Sequence, residues 1–146
     1  MKHIIPFVLI GLIVVGVMIF LQDDYAEPFR PDLSDEMTKN DWIATFYIND
    51  LESEDATIGV KLDYSNENIS IEDMEAIEFF VETEVGGFFF QDLQITDFDG
   101  EIAHEEECEQ CQDFSGEEIH ATAIVNWRVN GETKTEHYQF QLNRND

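Results

Sequence analysis

Two cysteines stand in the run Glu107-Cys108-Glu109-Gln110-Cys111-Gln112, and a C-x-x-C spacing admits three chemistries. A redox dithiol needs a thiolate of lowered pKa, which positive charge or a helix N-terminus supplies. Glu105, Glu106, Glu107 and Glu109 surround this pair instead, and neighbouring carboxylates raise a thiol pKa. A metal centre would draw on His104, Cys108 and Cys111, with His120 closing a tetrahedral set. A local disulfide needs only proximity and an oxidising compartment. The disulfide Cys108–Cys111 is the expectation; the metal set is the alternative.

Acids extend the metal alternative. Gly100 stands where the glycine of a calcium loop would, which puts Asp97, Asp99 and Glu106 at that loop's third, fifth and twelfth positions. The first ligand position falls on Ile95, whose side chain offers no oxygen, and the flanks read as strands rather than helices. A hairpin turn with solvated acids explains the same residues.

Phe79, Phe80, Phe88, Phe89 and Phe90 crowd one short stretch. Alternation places them on both faces of a hairpin. One face belongs in a core, the other lies under a loop or forms an aromatic patch for a partner, for which Phe80, Phe88 and Phe90 are the candidates. His3 lies beside an apolar segment, while His120 and His137 fall on polar strand faces as prospective cross-strand neighbours. No Gly-x-Ser-x-Gly, phosphate-binding loop, dinucleotide fingerprint or His-Glu-x-x-His occurs, and no nucleophile–base pair stands out. The expectation is a non-enzyme without a cofactor.

The elements that must position these residues are short strands. From Asp41 onward there is no proline. Trp42, Ala44, Phe46 and Ile48 alternate with Ile43, Thr45, Tyr47 and Asn49; Ala56, Ile58, Val60, Leu62 and Tyr64 form a second apolar face. Period two with one apolar face marks a half-buried strand. Residues 76–95 read as a hairpin turning at Gly86-Gly87, and Asp99-Gly100 marks a turn after which residues 101–104 pair back. Ile119 through Val129 and Tyr138 through Leu142 flank Asn130-Gly131, a two-residue turn signal. Ser70 followed by Glu72 and Asp73 suits a single helical turn. About seven strands with turns at this spacing predict an all-β, small antiparallel β-sandwich, immunoglobulin-like in arrangement, over residues 41–146. The Cys–Trp–Cys framework of that fold is missing, and a small barrel is the alternative.

Ahead of the domain, Ile4 through Leu21 is uncharged and long enough, at about 27 Å as a helix, to span a bilayer core. It exceeds the apolar region of a cleaved signal peptide and lacks a small-x-small cleavage site. Residues 1–21 therefore read as an uncleaved signal-anchor, one N-terminal transmembrane helix, with residues 22–40, holding Pro28 and Pro31, as a linker. Lys2 on the short N-terminal side favours the N-terminus inside and the domain outside the cytoplasm. Gly11 and Gly16 are five apart, so the G-x-x-x-G pairing face is absent.

Charge narrows the partners. The chain has 7 Lys plus Arg against 33 Asp plus Glu, a formal net charge of −26. A nucleic-acid binder must neutralise phosphates, and anionic lipid repels such a domain, so neither is an expected partner. The expected partners are the membrane, through residues 4–21, and a protein of the cell envelope. The role is that of a binding or structural module; a metal-binding domain outside the cytoplasm is the alternative.

Overall fold

The computed structural model describes residues 29–144. All the strands belong to one compact unit, Pro31–Asp146. They are β1 (Leu33–Lys39), β2 (Trp42–Asn49), β3 (Thr57–Tyr64), β4 (Met74–Thr83), β5 (Gly86–Asp92), β6 (Glu101–Glu107), β7 (Glu118–Val129) and β8 (Glu132–Asn143). They form two antiparallel sheets, ordered β1-β2-β3-β6 and β5-β4-β7-β8. One apolar face per strand drives this, because each sheet buries its period-two face against the other.

The core lies between the sheets. Trp42, Phe46, Ile48, Val60 and Leu62 from the first sheet meet Ile77, Phe79, Val81, Val125, Trp127, Phe140 and Leu142 from the second. Phe46 and Phe140 stack with centroids 5.8 Å apart, and Trp42 meets Trp127 edge-on at 6.0 Å. Each fully buried side chain of this size removes enough apolar surface from water to contribute about 1.5–3 kcal/mol.

Several turns follow directly from residue type. Asn130 and Gly131 both adopt positive φ, 51° and 76°, as a two-residue turn twisted to match its strands requires. Ser70 caps a single 3-10 turn, Ile71–Asp73, its hydroxyl accepting from the Glu72 amide at 3.4 Å. Gly59 is obligatory for a different reason. Tyr47 lies across it toward Glu105, and a Cβ there would come within 2.4 Å of the Tyr47 ring.

Four expectations are corrected. The domain does not start at residue 41: β1 occupies Leu33–Lys39 inside the segment assigned to a linker. Its inward positions are Leu33, Asp35, Met37 and Lys39, so only half are apolar and the periodic signal is weak. The β4–β5 hairpin turns at Glu84-Val85, not at Gly86-Gly87, because Thr83 pairs with Gly86. After the Asp99-Gly100 turn, β6 pairs with β3 in the other sheet rather than returning along β5. The immunoglobulin-like partition is not followed either. In a constant-type immunoglobulin domain the third strand joins the opposite sheet; here β3 follows β2 as a hairpin in the same sheet. The transmembrane helix expected over residues 4–21 lies outside the described residues, among which no helix is long and apolar enough to cross a membrane.

Candidate functional site

The most unusual surface is the outer face of the β5-β4-β7-β8 sheet. Strand pairing brings Phe89, Phe80, Ile124 and His137 into one row, one side chain from each strand. Phe80, Phe89 and Ile124 are 46%, 49% and 37% exposed. Single exposed apolar residues are ordinary; a contiguous row is the kind of surface that partners cover.

Polar rows flank it. On one side Glu82 pairs across β4 and β7 with Thr122. On the other, Thr135 donates to Asn126 at 2.6 Å and Asn126 donates to Glu78 at 3.0 Å, a chain that holds the Glu78 carboxylate in place. Beyond Glu78 the face dips into a shallow groove between Ala76, Asn126, Arg128 and Leu93. A bulge between Met74 and Ala76 lies at this end of β4. Glu75 accepts from the Gly131 amide at 2.8 Å and from Arg128 Nε at 2.6 Å. Those bonds, the backbone one foremost, hold its carboxyl below the usual range.

Beneath this face the hairpin is stiffened by rings. Phe88 is 4% exposed, and Phe90 stacks on Phe79 at 5.0 Å. The His104 ring reaches across from β6, 5.7 Å from Phe88 and 5.1 Å from Phe90. Of the expected patch, then, Phe80 is on the exposed face while Phe88 and Phe90 belong to the interior side. The reason is parity. A two-residue loop pairs even-numbered residues of β4 with odd-numbered residues of β5, so Phe80 stands beside Phe89. Ile124 is the other member missed. It is the one large apolar side chain among His120, Thr122, Asn126 and Arg128 on the outer face of β7, and that break in the pattern is a signal the sequence does carry.

The metal ligands proposed from sequence are not brought together. Cys108 and Cys111 lie at disulfide distance, with Cα atoms 5.4 Å apart, and both are buried. His104 contacts Glu106 at 3.2 Å and otherwise the phenylalanine rings. Asp99 accepts from the Glu101 amide at 3.1 Å in its own turn, and Asp97 sits beside Thr96. Glu106 pairs opposite Ile58, several residues along β6 from the Asp99 turn. Among the described residues no three His, Cys, Asp or Glu side chains are grouped to hold a metal. His120 and His137 are not cross-strand neighbours; they pair with Gln141 and Ile124.

Two other polar sites organise the domain. Asp41 is 7% exposed and accepts from Asn66 Nδ2 at 2.6 Å and Lys134 Nζ at 2.8 Å. On the outer face of the first sheet, Tyr47 donates to Glu105 at 3.2 Å. Burial, then the Glu105 charge and that bond, push the Tyr47 phenol well above its ordinary value. Burial likewise raises Tyr138, with the Glu136 and Asp41 charges adding to it.

No family model matches the chain, and no curated protein matches it. A solved structure titled as a Br derivative of BhCBM56 is similar over 73% of this chain and 97% of its own, at 13% identity and a TM-score of 0.44. A likeness at that level carries no argument about the ligand of this domain.

Proposed function

We propose that the chain is a non-catalytic binding module, and that it recognises a protein partner through the outer face of the β5-β4-β7-β8 sheet. The observation that carries the reading is the exposed row of Phe89, Phe80 and Ile124 on a sheet whose inner face is already packed. Glu78 and Glu82 flank the row, so the complementary surface has an apolar centre and a basic rim. A second copy would set these acids against their own images, and an anionic lipid surface would be repelled by the whole domain. The setting belongs to the proposal too. Residues 4–21 anchor the chain in the cell membrane with the domain outside the cytoplasm, where its partner is an envelope protein.

The test is a random peptide display selection on the full chain in detergent micelles. Selected peptides should combine aromatic or aliphatic residues with Lys and Arg. They should lose at least about tenfold in affinity for the Phe80→Ser/Phe89→Ser variant, since central aromatic anchors dominate such interfaces. Because both side chains are exposed, the variant should keep its thermal transition. Equal binding to variant and parent would sink the reading. Proteolysis of intact cells checks the setting: the domain should be removed, and protection until lysis would reverse the topology.

A further inference from the structure

We infer that the partner enters at the open edge of β5, adding an extended segment beside Gly86–Asp92 as a further strand of the sheet. The inference rests on the binding reading above and specifies how that face is engaged.

The sandwich has four edge strands, and they are treated differently. An edge strand presents a row of unpaired backbone N–H and C=O groups, which proteins usually cap, charge or cover. β8 is capped from β1: Asp35 Oδ2 accepts from the Gln141 amide at 2.9 Å, and Lys39 Nζ donates to the His137 carbonyl. β1 carries charge, with Asp35, Glu36 and Lys39 among its seven positions. β6 is charged, with Glu at four of its seven positions. β5 has none of these devices. It contains no Lys or Pro and a single acid at its end, Asp92. Its pairing with β4 runs without a bulge from Gly86 to Asp92, so the edge is straight. Among the described residues no side chain or loop amide bonds the backbone of Gly87–Gln91 outside the ladder with β4.

The edge is also rigid. Phe88 and Phe90 are held by Phe79 and His104, so little ordering entropy remains to be lost when a strand docks. Strand addition takes affinity from main-chain bonds and specificity from alternate side chains. One face of an added strand would continue the Phe89 row and calls for apolar residues. Its other face turns toward the inward side of β6, where Glu106 stands on the same face as His104, and calls for Lys or Arg. The partner segment therefore alternates apolar with basic residues. A second copy is disfavoured because each chain carries −26.

The probe is a synthetic peptide of the length of β5 that alternates lysine with valine or phenylalanine. Two further versions carry N-methyl groups on its odd or on its even amides. Alternate residues of an added strand turn their amides toward the edge. One methylated version should therefore keep the parent affinity for the full chain, and the other should bind at least about tenfold more weakly. Amides of Gly87–Gln91 should gain hydrogen-exchange protection with the parent peptide. Failure of the parent peptide to bind, or equal binding by both methylated versions, would overturn edge addition. If binding in the second case still falls with Phe80→Ser/Phe89→Ser, the face reading survives without the edge; if it does not, both fail. Protection of Gly87–Gln91 without peptide, in a chain that sediments as a dimer, would replace the foreign segment by a second copy.

Discussion

The two open sides of the sandwich are closed by opposite chemistry. Between β1 and β8 the closure is polar: Asp35 and Lys39 bond the backbone of β8, Asn40 donates to Glu136, and the Asp41–Lys134 pair ties the β1–β2 turn to β8. Between β5 and β6 it is apolar: His104 lies against Phe88 and Phe90, and the buried Cys108–Cys111 pair sits beside Val85. Polar bonds that reach backbone atoms use up the edge they protect. Ring packing holds the sheets together without backbone groups, and among the described residues nothing outside the ladder with β4 bonds the backbone of Gly87–Gln91. The side with the proposed docking edge is thus the side whose cohesion needs no backbone groups.

Substitutions can break this contrast, and the largest effect belongs to the ring side. Phe79→Ala should cost about 3–5 kcal/mol in urea unfolding, because Phe79 is buried and supports both Phe88 and Phe90. Asp41→Ala on the polar side should cost about 1–3 kcal/mol: it leaves the Asn66 amide unpaired, while Lys134, being partly exposed, recovers water. Equal costs would mean that the polar side carries as much cohesion as the rings.

The tyrosines sharpen the comparison through pH. Tyr138, beside Lys39, and Tyr47, on the first sheet, both have phenol pKa values raised by burial and neighbouring carboxylates. A raised pKa contributes stability that is full below the unfolded value of about 10 and is lost as pH rises toward the folded one. Thermal melts from about pH 8 to about pH 12 should show that loss, and Tyr138→Phe should flatten it. A parent melting temperature unchanged across this range would contradict the assignment.

Salt should act in one direction on the whole domain. Residues 41–146 hold 27 acids and four bases, and their mutual repulsion is screened as the Debye length falls from about 30 Å at 0.01 M to about 3 Å at 1 M. The melting temperature should rise with NaCl. Independence from salt would mean that the acids are already neutralised by bound cations. The smallest change in stability, under about 1 kcal/mol, is expected for Asp35→Ala, which uncaps the Gln141 amide. Its readout is local: the Gln141 amide should exchange faster with solvent than in the parent. Unchanged exchange there would mean that Asp35 does not protect the β8 edge.

Much of this arrangement is written locally. The alternation in Trp42–Ile48, Ala56–Tyr64 and Ile119–Val129 specifies strands with one buried face, and Asn130-Gly131 specifies its turn, because period two and positive φ are properties of a few adjacent residues. The proximity of Cys108 and Cys111 is local in the same sense, and so is the helical turn after Ser70. Other features depend on partners distant in sequence. β1 alternates Asp35 and Lys39 with Leu33 and Met37, which reads as linker until β8 supplies the backbone groups those charges bond. Which phenylalanines face outward depended on a register set by the Glu84-Val85 turn, where one residue of slip exchanges the two faces. Ile124 joins Phe80 only because β7 pairs with β4 across an interval of chain that includes a visit to the other sheet. By itself, then, the sequence determined strand content, two of the turns and the acidity of the surface. Strand pairing, the row it assembles and the contrast between capped and open edges were decided by the tertiary structure, since each is a relation between strands that no local pattern encodes.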